Sequence, residues 1–531
     1  MLNNASRIPA LLLLSALVSC GQEAAVPQAE VVAEAAIPAQ EHASDIHWYD
    51  GTVDAAFALA EAEDKPLFFY WGAIWCPPCE QIKATVFKHP GFLTMMDLFV
   101  PVYLDGDTER AQSWGEHFAV AGYPTMIVFS PTGDEITRIP GWIDSTQYIN
   151  VLQIALDDLT STPDLLHKAL TEPASLKANA WTRLAFYSWE QSNLPDDVKM
   201  DAATFGKLAE SAREAGNTIA WSRLMFHALY AAGVAMETDD SAFTQAQRQQ
   251  ARQDLDTILH DRDMTLANSD YLLLYFSDFT DMLATGDASD EALADNWIAA
   301  MEVLRSAPQL SGAEHLASWY PSVERFFNSN PDAERLPADL EQTIIDSINA
   351  EDSETRGDAR QNVINTAYQL LFEAKRPDLS RQILLDEIGK SHAPYYFMSS
   401  LGGLAEEAGN NAEAVDWHRQ AYEGSKGEAT RFQWGYQYVA SMIQLAPEQA
   451  ELIASTALGL LEEFHDRENI LTGRNFGRLQ SLVADLQEWQ ATSGAASALA
   501  PFYANLESLC SNTSVTGETG EHCESLLQAG L

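Results

Sequence analysis

Two cysteines separated by two prolines, in Trp75-Cys76-Pro77-Pro78-Cys79, are the residues of this chain whose types and spacing best suit chemistry. At the start of a helix, two intervening residues bring both sulfurs into one turn, close enough for a disulfide without backbone movement. The first cysteine then sits at the helix N-terminus, where free N–H groups and the macrodipole favour a thiolate. Cys76 is therefore the expected nucleophile and Cys79 the resolving thiol. The cycle would pass through a mixed disulfide between Cys76 and a substrate, which Cys79 displaces. Pro77 and Pro78 carry no N–H, so two donors to the Cys76 sulfur are missing. Strong oxidants owe their potential to a stabilised reduced form, so this pair is expected to act as a reductase or isomerase rather than an oxidase. Other chemistry fits less well. A structural zinc site wants four ligands, and no second pair has the right spacing. Cu(I) could use the two thiolates, with Met95 or Met96 as extra soft ligands. The expected site uses no metal and no cofactor.

The flanking residues supply the elements that must position this pair. Val53 to Glu63 reads as an Ala-rich helix, and Pro66 to Trp71 as an apolar strand buried on both faces. The cysteine pair opens a helix running through Val86. A second strand is expected at Phe99 to Leu104 and a helix at Thr108 to Phe118. Gly122-Tyr123-Pro124-Thr125 leads into a strand at Met126 to Phe129. The turn Pro131-Thr132-Gly133-Asp134 joins a short strand at Glu135 to Ile139, and Gly141-Trp142 precedes a helix at Ser145 to Leu156.

This arrangement resembles the thioredoxin fold, and within it the periplasmic C-terminal domain of DsbD-type thiol reductases. The resemblance rests on the strand-Trp75-Cys76-x-x-Cys79-helix unit, Gly122-Tyr123-Pro124-Thr125 and the later Gly141-aromatic pair, and it covers residues 47–160, roughly a fifth of the chain. It implies an α/β fold with a central sheet flanked by helices, and a cis Pro124 facing the cysteines. It further implies a substrate surface made by Trp75, Tyr123, Pro124 and Thr125, protein disulfides as substrates, and a membrane thiol-reductant donor. One position departs from the family pattern. Where these proteins carry a buried Asp six residues before the first cysteine, to assist proton transfer at the second, this chain has Tyr70; Glu80 and Lys83 are the nearby ionisable residues in sequence.

The rest of the chain bounds the setting. Its 531 residues exceed what one core usually organises, and 46% hydrophobic content is enough to fill real cores. With 31 basic against 77 acidic residues, the net charge of −46 argues against nucleic-acid partners. Met1 to Arg7, the eleven-residue apolar run Ile8 to Val18 and Leu17-Val18-Ser19-Cys20-Gly21 read as an export signal resembling a bacterial lipobox. By that resemblance residues 1–19 are removed, Cys20 is lipidated and the protein faces the periplasm from the outer membrane. Residues 20–46 would form a flexible tether, so membrane attachment is through lipid alone.

Residues 161–531 are expected to be all-helical, a solenoid-like stack of helical hairpins. Ala180-Trp181-Thr182-Arg183-Leu184-Ala185-Phe186 recurs as Ala220-Trp221-Ser222-Arg223-Leu224-Met225-Phe226, and Trp221, Leu224, Met225, Ala228 and Leu229 form an amphipathic stripe. Tyr271 to Phe279 reads as one buried helix. Leu401-Gly402, Ala405, Gly409, Ala414 and Ala421 match tetratricopeptide spacing once. Such a stack could hold a client protein beside the cysteine pair. Cys510 and Cys523 should form a structural disulfide, worth about 3 kcal/mol in the chain-entropy model. Two other readings remain for the whole chain: a helical scaffold that uses the α/β unit for docking, and Cu(I) delivery.

Overall fold

The computed structural model describes residues 46–530 apart from 193, 195–197, 240–242, 465–466 and 512–516. The export signal, Cys20 and nearly all of the tether lie outside the described residues. The first unit runs α1 (Val53–Glu63), β1 (Leu67–Gly72), α2 (Pro77–Ala84), α3 (Pro90–Met96), β2 (Val100–Asp105), α4 (Glu109–His117), β3 (Thr125–Phe129), β4 (Glu135–Ile139) and α5 (Ser145–Asp157). Its four-stranded sheet has the order β2-β1-β3-β4, with β1 and β2 parallel and the other pairs antiparallel. The helices begin where short polar side chains can take up free N–H groups: Thr52 caps α1, Thr108 caps α4 and Asp144 caps α5. Only the short helix α3 was absent from the sequence reading.

All six residues of β1 are buried, because both faces of the sheet are covered. Leu67, Phe69 and Trp71 pack with Val53, Val102, Leu104, Phe118 and Ile127 on one face. Phe68 and Tyr70, on the other, join Phe92, Met126, Val128, Tyr148 and Leu152. That second cluster does not stop at α5. It continues through Leu165, Leu166, Trp181, Leu184, Trp221 and Trp297, so the sheet and the following helices share one apolar core. A shared core holds the two parts together far more firmly than a linker would.

From Thr162–Thr171 to Glu518–Gly530 the described chain is helical, with no strand among the described residues. The repeated heptapeptide lies in two helices, Ala178–Ala185 and Thr218–Met236, and its two arginines do different work. Arg183 donates to the carbonyls of Asp158 and Thr160 at 2.5 and 2.6 Å, fastening the end of α5. Arg223, also buried, grips Asp270 with two bonds of 2.8 and 2.7 Å. The stripe expected at Trp221 is wider than one face: every residue from Ala220 to His227 is buried, because helices pack around it on several sides.

The single helix expected over Tyr271 to Phe279 is instead two short ones, Ser269–Leu274 and Phe276–Leu283. The indole of Trp297 donates to the Leu272 carbonyl at 2.9 Å, occupying an acceptor that a continuous helix would use itself. The hairpin of Pro394–Glu407 and Asn411–Gly424 packs closely because Gly402 leaves room for the His418 ring; a Cβ there would stand 2.6 Å from Nε2.

Candidate active site

Strand β1 ends at Gly72, and the chain turns through Ala73, Ile74 and Trp75 into α2. Cys76 is the N-cap, with extended backbone, and Pro77 and Pro78 take the first helical positions, where a fixed φ helps and a missing N–H costs nothing. Cys76 and Cys79 are disulfide-bonded, with Cα atoms 5.2 Å apart. The Cys79 N–H points at the Cys76 sulfur at 3.3 Å; the two prolines offer no other donor in the first turn. Facing the pair is the Tyr123–Pro124 segment, whose peptide is cis, with the Tyr123 carbonyl oxygen 3.5 Å from the Cys76 sulfur. Gly141 is required here: a Cβ would meet the Pro124 ring at 2.9 Å. Thr125 lies beneath, its hydroxyl 2.7 Å from the Gly122 carbonyl and 2.8 Å from the Gln191 side chain.

Tyr70, at the position of the family's acid, is fully buried, and its hydroxyl has no hydrogen-bond partner. Burial, reinforced by the charges of Glu80 and Asp105, holds its pKa well above the usual range. It holds its proton at ordinary pH and so cannot serve as the base that the acid at this position supplies in the family. Glu80 is the buried acid at this end of α2. Burial pushes its carboxyl up, while Lys83 at 2.8 Å and His392 at 3.8 Å pull the other way.

The helical region closes over the pair. Cys76 is 3% exposed and Cys79 fully buried. The Trp75 indole donates to the Thr430 hydroxyl at 3.0 Å and packs edge-on against Trp434, and the Trp75 carbonyl accepts from Gln361 at 2.5 Å. His392 meets the Ile74 carbonyl at 2.9 Å, and Asn362 donates to Gln81. On the other side Asp107 accepts from the Thr430 N–H at 2.7 Å, Glu116 from the Gly473 N–H at 2.9 Å, and Gln112 from the Arg474 N–H at 3.0 Å. The guanidinium of Arg474 lies over the Tyr123 ring, 4.5 Å from its centre. Trp75, Tyr123, Pro124 and Thr125 are thus brought together as expected, but against helices of their own chain. The sequence offered no signal for Gln361, His392, Thr430, Trp434 or Arg474, which lie in unremarkable helical stretches some 300 residues away.

Met95 and Met96 do not join the cysteines. Both are buried in the core with Phe92 and Phe99, whereas the cysteines cluster with Ala73, Trp75 and Tyr123. Among the described residues no three His, Cys, Asp or Glu side chains converge as metal ligands. Cys510 and Cys523 are bonded to each other, joining the last two helices.

This geometry defines a thioredoxin-like α/β unit, and residues 53–155 match the family described as a thioredoxin-like domain. The unit is similar to part of the thiol:disulfide interchange protein DsbD of several bacteria. Identity is 28% over 99 residues for the Yersinia pestis protein, 31% over 102 residues for that of Citrobacter koseri, and 26% over 98 residues for that of Actinobacillus pleuropneumoniae. The matched segment is 18% of this chain and only 17% to 18% of those relatives. A thioredoxin-like domain with its cysteine pair in place supports thiol–disulfide redox chemistry in general. No helix among the described residues is long and apolar enough to cross a membrane.

Proposed function

We propose that this chain is a thiol–disulfide oxidoreductase of the bacterial cell envelope, held there by a lipid on Cys20, and that it reduces or isomerises disulfides in protein substrates. The observation that carries the reading is the Cys76–Cys79 disulfide at the N-terminus of α2, facing the Tyr123–Pro124 backbone. Cys76 is the nucleophile: its thiolate attacks a substrate disulfide, one substrate sulfur leaves as a thiol, and a mixed disulfide remains. Cys79 attacks that bond, releases the second thiol and closes the Cys76–Cys79 disulfide. A membrane dithiol donor then returns two electrons and two protons. Trp75, Tyr123, Pro124 and Thr125 hold the substrate chain, and Cys510–Cys523 is a structural bond. A single backbone donor to the Cys76 sulfur, a nearby carbonyl and near-complete burial all disfavour the thiolate, which supports reductase or isomerase over oxidase.

The close cover over the pair gives the scaffold reading its one support, since a docking module needs no access to its sulfurs. The deciding experiment is the redox potential of the pair, by dithiothreitol and glutathione titration with mass spectrometry. A value near about −270 mV supports a reductase, and one near about −120 mV makes the protein a disulfide donor instead. A pair that does not cycle, with Cys76→Ser leaving the protein's function intact, overturns the oxidoreductase reading in favour of the scaffold.

A further inference from the structure

Next to the cysteine pair lies a cleft that the redox step does not account for. It is lined by Trp75, Gln112 and Tyr123 from the α/β unit and by Thr430, Arg474 and Arg478 from the helical region, and its cavity volume of about 20 Å³ holds one small polar group. Arg474 and Arg478 are one turn apart on the helix Gly473–Ser493. Arg474 lies against aromatic side chains, 4.5 Å from the Tyr123 ring centre and 5.8 Å from that of Trp75, and hydrogen-bonds to the Tyr123 side chain. Arg478 donates to the Gln433 side chain at 2.7 Å. Among the described residues no carboxylate forms an ion pair with either. The chain holds 77 acidic residues against 31 basic ones, so the lack of a partner is not for want of acids. The acids close by are engaged elsewhere: Asp107 with Thr430, Glu116 with Gly473 and His522. Burial, and the neighbouring charge of Arg474, hold the Arg478 pKa below its usual value, as expected of a cation pair lacking an anion.

We propose that Arg474 and Arg478 bind a carboxylate carried by the disulfide substrate, close to its reacting sulfur. The inference rests on the oxidoreductase reading and names the substrate class for that site. The Tyr123 carbonyl is 3.5 Å from the Cys76 sulfur and the Tyr123 ring carries Arg474, so the carboxylate falls within about two to three extended residues of the sulfur. Guanidinium pairs suit this task because they present planar, parallel donors to carboxylate oxygens. The electron balance is unchanged: the ligand's S–S bond breaks, the Cys76–Cys79 bond forms, and two electrons and two protons pass to the ligand as two thiols. Such a carboxylate can belong to a low-molecular-weight disulfide or to an acidic residue or chain end beside a peptide cysteine.

The test uses the full chain, reduced with dithiothreitol and freed of it, with oxidation of the pair followed by mass spectrometry. Three small disulfides serve as probes: 3,3′-dithiodipropionate, neutral 2-hydroxyethyl disulfide and cationic cystamine, each rate divided by that with free dithiothreitol. The expected result is a carboxylate-over-neutral preference of tenfold or more and a penalty for cystamine. Arg474→Gln and Arg478→Gln should each bring the preference to within twofold, and Arg474→Lys should keep part of it. Because the ratio cancels any change in Cys76 thiolate content, it reports recognition alone. A preference under twofold in the parent chain with both the small disulfides and disulfide-linked Asp and Asn peptides, or one that survives both glutamine variants, overturns the inference while turnover of the neutral disulfide leaves the oxidoreductase reading standing. If no disulfide oxidises the pair, both fail. Disulfide-linked peptides with Asp or Asn two residues from the cysteine separate the sources: Asp preference without a small-molecule preference marks a peptide ligand, and a preference in both sets marks the carboxylate itself as sufficient.

Discussion

Asp107 clasps the helical region to the α/β unit, and the cost of its charge is worth a measurement. Its carboxylate accepts from the Thr430 N–H at 2.7 Å, yet burial raises its pKa from 3.8 to about 6; that hydrogen bond pulls the other way, while Asp105 and Glu428 add to the rise. When the clasp opens, the group returns to water and to its ordinary value. The closed form therefore binds more protons between the two values. Closure is favoured fully below about pH 4 and weakens as pH climbs through 6. Above pH 7 the penalty reaches about 3 kcal/mol, and between pH 5 and 8 it changes by about 1.4 kcal/mol, a tenfold shift in opening. The assay is hydrogen exchange at the Thr430 amide, corrected for the intrinsic pH dependence of exchange. In the parent chain the corrected opening constant should rise about tenfold from pH 5 to 8. Asp107→Asn keeps an acceptor for Thr430 and removes the buried charge. It exchanges a charge-assisted bond for a neutral one, so it should gain about 1–2 kcal/mol at pH 8 and lose the pH dependence. A parent profile that is flat or falls with pH, or faster exchange in Asp107→Asn at pH 8, would refute the reasoning: the carboxylate would then be ionised and holding the clasp by its charge.

Three further outcomes follow from the same contacts. Gly427, with φ of +86° and Asp107 Oδ2 within 1.1 Å of where a Cβ would stand, admits no side chain; Gly427→Ala should open the clasp, speeding Thr430 exchange tenfold or more and raising the alkylation rate of reduced Cys76. Glu80→Gln should slow resolution of a trapped Cys76 mixed disulfide by about 10²-fold at neutral pH, with the difference shrinking as Cys79 ionises by itself; superimposable pH–rate profiles would assign the buried Glu80–Lys83 pair to structure alone. Replacing Cys510 and Cys523 by serine should cost about 3 kcal/mol, read as a lower denaturant midpoint for the C-terminal helices, with the Cys76–Cys79 potential unchanged.

What the sequence determined by itself is the part built from short-range rules. The apolar run through Leu67 to Trp71 suited a strand buried on both faces, Pro77 and Pro78 suited the first turn of a helix, and the starts expected for α4 and α5 fall within a residue of those observed. That Tyr123, Pro124 and Thr125 face Cys76 and Cys79 was implied only by the resemblance to the thioredoxin fold, and observed boundaries differ from the expected ones by a residue or two. The buried all-round environment of Trp221 and the break at Tyr275 escaped it, because both depend on neighbours in other helices. The cover over the cysteines escaped it entirely. Trp75 meets Gln361 across 286 residues, and Gln112 meets Arg474 across 362. Hydrogen bonds at that separation leave no local pattern, and the raised pKa of Asp107 exists only once burial has removed water from it. Sequence placed the sulfurs; tertiary packing decided how hard they are to reach and which charge waits beside them.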